Sequence, residues 1–201
     1  MKKIVIIGAN DFQNQLILKA KEMGFETHVF AWQDGSIGER TADHFYPVSI
    51  VEIDEILEKC REIKPDAVAT IASDLANITV SKVAAGLGLP GNTPECIELS
   101  TNKYAMRSAF LKAGLPTPKF YKVDRVIPEL MEMELPVIVK PTDRSGSRAI
   151  TKITAYDQLE EAIKEAVEQS FEKKAIVEEY IEEMSTVMRP SLIMEHIPIW
   201  R

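Results

Sequence analysis

Pro136-Val137-Ile138-Val139-Lys140-Pro141-Thr142-Asp143-Arg144-Ser145-Gly146-Ser147-Arg148 is an apolar strand that ends in a lysine and runs into a short basic loop rich in hydroxyls, with one glycine. Lys140 offers a point charge, and Ser145, Gly146 and Ser147 offer backbone N–H and hydroxyl donors to phosphate oxygens, with Arg144 and Arg148 on either side. That chemistry suits a triphosphate and points to ATP. The same letters would serve a polar β-hairpin turn with its lysine in water, so the loop has to be read with its neighbours.

Two further segments keep it company. Lys174-Ala175-Ile176-Val177-Glu178-Glu179-Tyr180-Ile181 reads as a second buried strand ending in acids, and Thr101-Asn102-Lys103-Tyr104-Ala105-Met106-Arg107 opens a helix that carries another lysine. In this order and at this spacing the set resembles the ATP-grasp ligases, the superfamily of carbamoyl-phosphate synthetase large chains, phosphoribosylglycinamide synthetases and D-alanine–D-alanine ligases, and the resemblance extends to Glu182. It implies that Lys103 and Lys140 contact ATP phosphates and that the loop Arg144, Ser145, Gly146, Ser147, Arg148 closes over them. It also implies that the strand from Val177 to Ile181 is the interdomain hinge. There Glu178 would face the adenine amino group, and backbone groups of Glu179 and Ile181 would read the adenine edge.

Length and composition agree with a globular ligase fragment. The 201 residues give room for one to two domains, and a hydrophobic content of 45% is ordinary for a packed core. The net charge of -7 disfavours nucleic acid and anionic membranes as partners, because both begin with a basic surface. Cys60 and Cys96 form no metal-spaced or redox pair, which suits a reducing cytoplasm. The apolar run after Met1-Lys2-Lys3 is strand-length and lacks a signal-peptide cleavage pattern.

Along the chain, short β-rich runs alternate with amphipathic stretches, the pattern of a parallel α/β lobe. Strands are expected over residues 3–8, 26–31 and 67–72, and helices over 13–23, 53–63 and 77–87. The expected organisation is α/β: a Rossmann-like domain at 1–94, a linker helix within 95–116, the small α+β lobe of an ATP-grasp domain at 117–183, and an atypical tail at 184–201. The first turn, Gly8-Ala9-Asn10-Asp11-Phe12-Gln13, lacks the second and third glycines of a dinucleotide fingerprint, which counts against a nicotinamide-dependent oxidoreductase. Asp34, before Gly35, reads as turn chemistry. Gly8, Asn10, Ser73 and Asp74 lie at C-terminal ends of parallel strands, where open α/β sheets bind ligands; they are expected as substrate contacts and equally as helix caps. His28, His44 and His196 show no metal spacing.

The reaction that the resemblance implies has two steps: a carboxylate attacks the γ-phosphorus of ATP to give an acylphosphate, then an amine or similar nucleophile displaces phosphate. Lysines, the loop and Mg²⁺ would carry phosphoryl transfer. The family's Mg²⁺ ligands and its phosphate-steadying arginine lie in a second lobe that this sequence does not show, so the expectation is nucleotide binding without turnover by this chain alone. Read back by one nucleotide at Glu182-Glu183, the codons permit Gly-Asp-Glu-Tyr-Ser, one variable residue and Glu, the family's missing motif. That reads the tail as an out-of-frame product; the alternative is a short C-terminal element of its own. A rival function is a non-catalytic nucleotide-sensing or interaction module, joined to a second copy or a partner chain through an exposed edge of the hinge strand.

Overall fold

The computed structural model describes residues 1–181. The tail at 184–201, with its reading-frame expectation and His196, lies outside the described residues. Two four-stranded sheets organise the molecule. The first is parallel, in the order β3-β2-β1-β4, from β1 (Lys3–Ile7), β2 (Glu26–Phe30), β3 (His44–Tyr46) and β4 (Ala67–Ala69). Its faces carry α1 (Asp11–Glu22), α2 (Ile37–Thr41), α3 (Ile53–Ile63) and α4 (Asp74–Leu87). Alternation along the strands divides the core in two. Ile4, Ile6 and Val29 pack with Ile17 of α1, while Val5, Ile7 and Phe30 pack with Ile56 and Cys60 of α3 and Val83 of α4.

Two short elements, α2 and β3, were not anticipated. The chain between Asp34 and Tyr46 is held by polar side chains: Glu39 accepts from the amides of Asp34 and Gly35 at 2.9 and 2.6 Å, and Asp43 accepts from the amide of Thr27 at 2.9 Å. Apolar periodicity does not report such links. The expected single linker helix is two helices, α5 (Pro94–Thr101) and α6 (Lys103–Lys112), broken at Asn102. Asn102 sits in an extended conformation, with φ −101° and ψ 115°, and its side chain accepts from the amides of Tyr104 and Ala105. It therefore ends one helix and caps the next.

The second sheet is antiparallel, in the order β5-β8-β6-β7, from β5 (Phe120–Val123), β6 (Val137–Pro141), β7 (Thr151–Ile153) and β8 (Ala175–Glu179). One face is covered by α7 (Leu159–Gln169), where Leu159, Ile163 and Ala166 meet Val137, Val139 and Val177. The other face turns toward α6, whose Tyr104 packs edge-on against Phe120 at 5.6 Å between ring centroids.

This topology corrects one expectation. Strand β8 is not an exposed edge: it pairs with β5 on one side and β6 on the other, and the amides of its last residue, Glu179, and of Tyr180 just beyond it donate to the carbonyls of Lys119 and Pro136. With both ladders filled, it has no open edge to offer a second copy or a partner chain.

Candidate functional site

Strand β6 delivers Lys140 to the face of the sheet opposite α7, because Val137, Val139 and Pro141 take the buried positions between. The next residues are tied down at once. Buried Thr142 accepts from the Lys103 amide at 2.7 Å through its carbonyl, and the Asp143 carboxylate accepts from the amides of Phe171 and Glu172 at 3.0 and 2.7 Å. Above this anchor, the Lys103 ammonium donates to the carbonyl of Arg144, and the Arg144 guanidinium lies 4.5 Å from the centroid of the Phe171 ring. The first residue of α6 thus grips the loop by both backbone and side chain. Burial, and after it the charge of Lys140, pushes the Lys103 ammonium below the usual lysine range. An arriving anion would relieve that penalty.

The loop itself is sharply turned, with positive φ at Gly146 (74°), Ser147 (54°) and Ala149 (50°). Two non-glycine residues in the left-handed region are costly conformations of the kind that cluster at ligand clamps. Ser145, Gly146, Ser147 and Arg148 are exposed, so their donors face solvent.

Behind the loop, Glu178 is buried between two cations. Its Oε1 accepts from the Lys140 ammonium, and its Oε2 accepts from Arg107 Nε at 3.0 Å. Burial pushes the carboxyl up, but the hydrogen bonds from Arg107 and Lys140 outweigh it and hold the group below its ordinary value. In this arrangement the Glu178 carboxylate meets Lys140 and Arg107 on the face where the adenine was expected. The Glu179 amide is also engaged, by the Lys119 carbonyl at 3.0 Å, and the Glu179 carboxylate accepts from the Lys119 amide at 2.8 Å. Ile181 is exposed. Arg107 was missed by sequence reading, although its position four residues after Lys103 places both on one face of α6.

Two cavities lie beside the loop. One of about 280 Å³ is lined by Ser73, Asp74, Arg144, Ser145, Gly146 and Arg148, with Thr101, Asp143 and Phe171 behind them. The other, about 330 Å³, sits at the C-terminal ends of β1 and β2 and is lined by Gly8, Asn10, Trp32, Ser36, Ser73 and, again, Arg148. Arg148 is common to both. Lys103, Lys140, Ser147, Glu178, Glu179 and Ile181 line neither cavity. Gly8 needs its glycine: φ is +100°, and a Cβ would stand 3.0 to 3.1 Å from the Gln13 side chain. Asn10 and Ser73 cap α1 and α4, accepting from the amides of Phe12 at 2.9 Å and Ala76 at 3.2 Å. Asp34 accepts from the Ser36 amide at 3.0 Å, as turn chemistry requires. Exposed Trp32, also missed, carried no motif to mark it.

Residues 110–188 match the family described as D-ala D-ala ligase C-terminus. The C-terminal section of a carbamoyl phosphate synthase large chain from Methanocaldococcus jannaschii is 24% identical over 90% of this chain and 33% of that one. Among solved structures, phosphoribosylglycinamide synthetase from Anaerococcus prevotii is 27% identical, with a TM-score of 0.63 over 90% of this chain and 46% of its own. An L-amino acid ligase from Bacillus licheniformis gives a TM-score of 0.74 at 22% identity, over 90% and 44% of the two chains. The chain spans a third to a half of the length of these relatives. Lysines on β6 and α6, a donor-rich loop beyond β6, a parallel lobe in front and these likenesses converge in support of membership of the ATP-grasp superfamily.

Proposed function

We propose that this chain carries the phosphate-loop half of a nucleotide site and part of the carboxylate site of an ATP-dependent ligase, one that activates a small carboxylate as its acylphosphate for attack by an amine or similar nucleophile. The observation that carries this reading is the convergence of Lys103 and the 144–148 loop. Lys103 holds the loop at its root, and the second of the loop's two arginines, Arg148, reaches the cavity at the ends of the parallel strands. A triphosphate laid along the loop would meet cations from Lys103, Lys140, Arg144 and Arg148 and backbone donors from Ser145 to Ser147. A carboxylate beside Gly8, Asn10 and Ser73 would lie next to it, with Arg148 between the two anions.

The residues present fit ATP by their donor chemistry. Among the described residues beside the loop, the acids do not fit Mg²⁺: Asp143 is committed to the amides of Phe171 and Glu172, Glu178 to Lys140 and Arg107, and Asp74 alone is not a set of ligands. Titration of the chain with ATP by calorimetry, beside Lys103→Ala and Lys140→Ala, tests the reading. Binding that weakens about tenfold or more in both variants supports it; wild-type binding that neither variant changes, or no binding, removes it.

A further inference from the structure

Beyond the ligase site, at the opposite end of the parallel strands, three side chains converge that sequence spacing had kept apart. Glu26 and His28 are two residues apart on β2 and so share a face, and His44 of β3 is the register partner of His28. The His28 and His44 rings stack 4.5 Å apart at 17°. Both Nε2 atoms lie close to the same oxygen, Glu26 Oε1, at 3.2 Å for His28 and 3.0 Å for His44, and one ligand atom from each residue falls within 4.8 Å of the others. We propose that Glu26, His28 and His44 form a binding site for a zinc-type divalent transition-metal ion, with the fourth position open to solvent beside His44.

Three observations support a cation rather than a simple hydrogen-bond cluster. First, His28 is only 4% exposed, and its Nε2, although 3.2 Å from Glu26 Oε1, makes no well-aligned hydrogen bond to that oxygen or to any other described residue. Buried polar nitrogens are seldom left so. Second, His28 Nδ1 lies 3.0 Å from the Tyr46 hydroxyl. A hydroxyl that accepts from Nδ1–H would leave the Nε2 lone pair free to bind a metal, which is how outer groups prepare an imidazole to ligate. Third, the spacings suit the ion. Tetrahedral Zn²⁺ with N and O ligands at about 2.0–2.1 Å sets ligand atoms roughly 3.3 Å apart, close to the two distances found here. Two imidazoles and one carboxylate favour Zn²⁺, Cu²⁺ or Ni²⁺ over Mg²⁺ or Ca²⁺.

The test is titration of the tag-free full chain with ZnCl₂ by calorimetry, with CoCl₂ as an optical probe of tetrahedral geometry. Expected are one equivalent of Zn²⁺, tetrahedral Co²⁺ bands, and affinity that falls at least tenfold in His44→Ala and in Glu26→Gln and about 10- to 100-fold in Tyr46→Phe. His44 is half exposed at the edge of the sheet, so its variant should keep the wild-type circular dichroism and ATP affinity. Zinc binding that is absent, or unchanged in both His44→Ala and Glu26→Gln, overturns the proposal and leaves a cluster held by shared protons.

Discussion

Lys140 and Glu178 face each other across β6 and β8 as a largely buried ion pair, their side chains 15% and 7% exposed. Arg107 completes it from α6. Removing one member of a buried pair leaves uncompensated charge, so Glu178→Gln, which strands two cations, should cost about 3–5 kcal/mol. Urea unfolding of the variant against wild type measures it; a loss below about 1 kcal/mol would show that water reaches the pair.

Gly38 brings α2 against the first turn: its amide donates to the Ala9 carbonyl at 2.9 Å, and a Cβ would stand 2.6 Å from that oxygen. Backbone cannot yield as a flexible side chain can. Gly38→Ala should therefore destabilise by about 1–3 kcal/mol and move Ser36 relative to Asn10 across the second cavity. Thermal unfolding reads the first effect, and altered substrate affinity with ATP affinity retained reads the second.

Acid should loosen the edge of the parallel sheet. Asp43 is held down to about 2, first by the hydrogen bond from Lys21, with the amide and hydroxyl of Thr27 adding to it. Because the folded value lies below the ordinary one, the stabilisation is complete above about pH 4 and is lost as pH falls from there toward 2. Asp43→Asn should flatten that segment of the stability–pH curve; an unchanged slope refutes the assignment.

The two thiols should differ. Cys60 is buried in the core beneath α3, and burial pushes its thiol up to about 12, whereas Cys96 is exposed. Native protein should react at one cysteine with a thiol reagent and at both after denaturation. Modification of both at native rates would mean that the α3 core opens readily.

What was legible in the sequence is local. The limits of α3 and the course of β8 follow from apolar periodicity, and Lys64, at φ 55°, ends α3 where the sequence places its stop. What was not legible is held together by long-range pairing. The central place of β8 in its sheet depends on partners some 40 and 55 residues earlier in the chain. Likewise, His28 and His44 are neighbours only because a three-residue strand, too short to show alternation, docks in register. The helix break at Asn102 did leave a trace, since Asn is a strong N-cap and Thr93-Pro94 is a strong helix start.

Arg148 has one guanidinium and two cavities to serve. If the two proposed anions both engage it, each changes what the other finds, and linkage makes that influence equal in both directions. If the nucleotide draws Arg148 away from the strand ends, it weakens the carboxylate by the same factor that the carboxylate weakens it. If Arg148 bridges them, each strengthens the other equally. One side chain would then set the sign of the coupling between the two ligands.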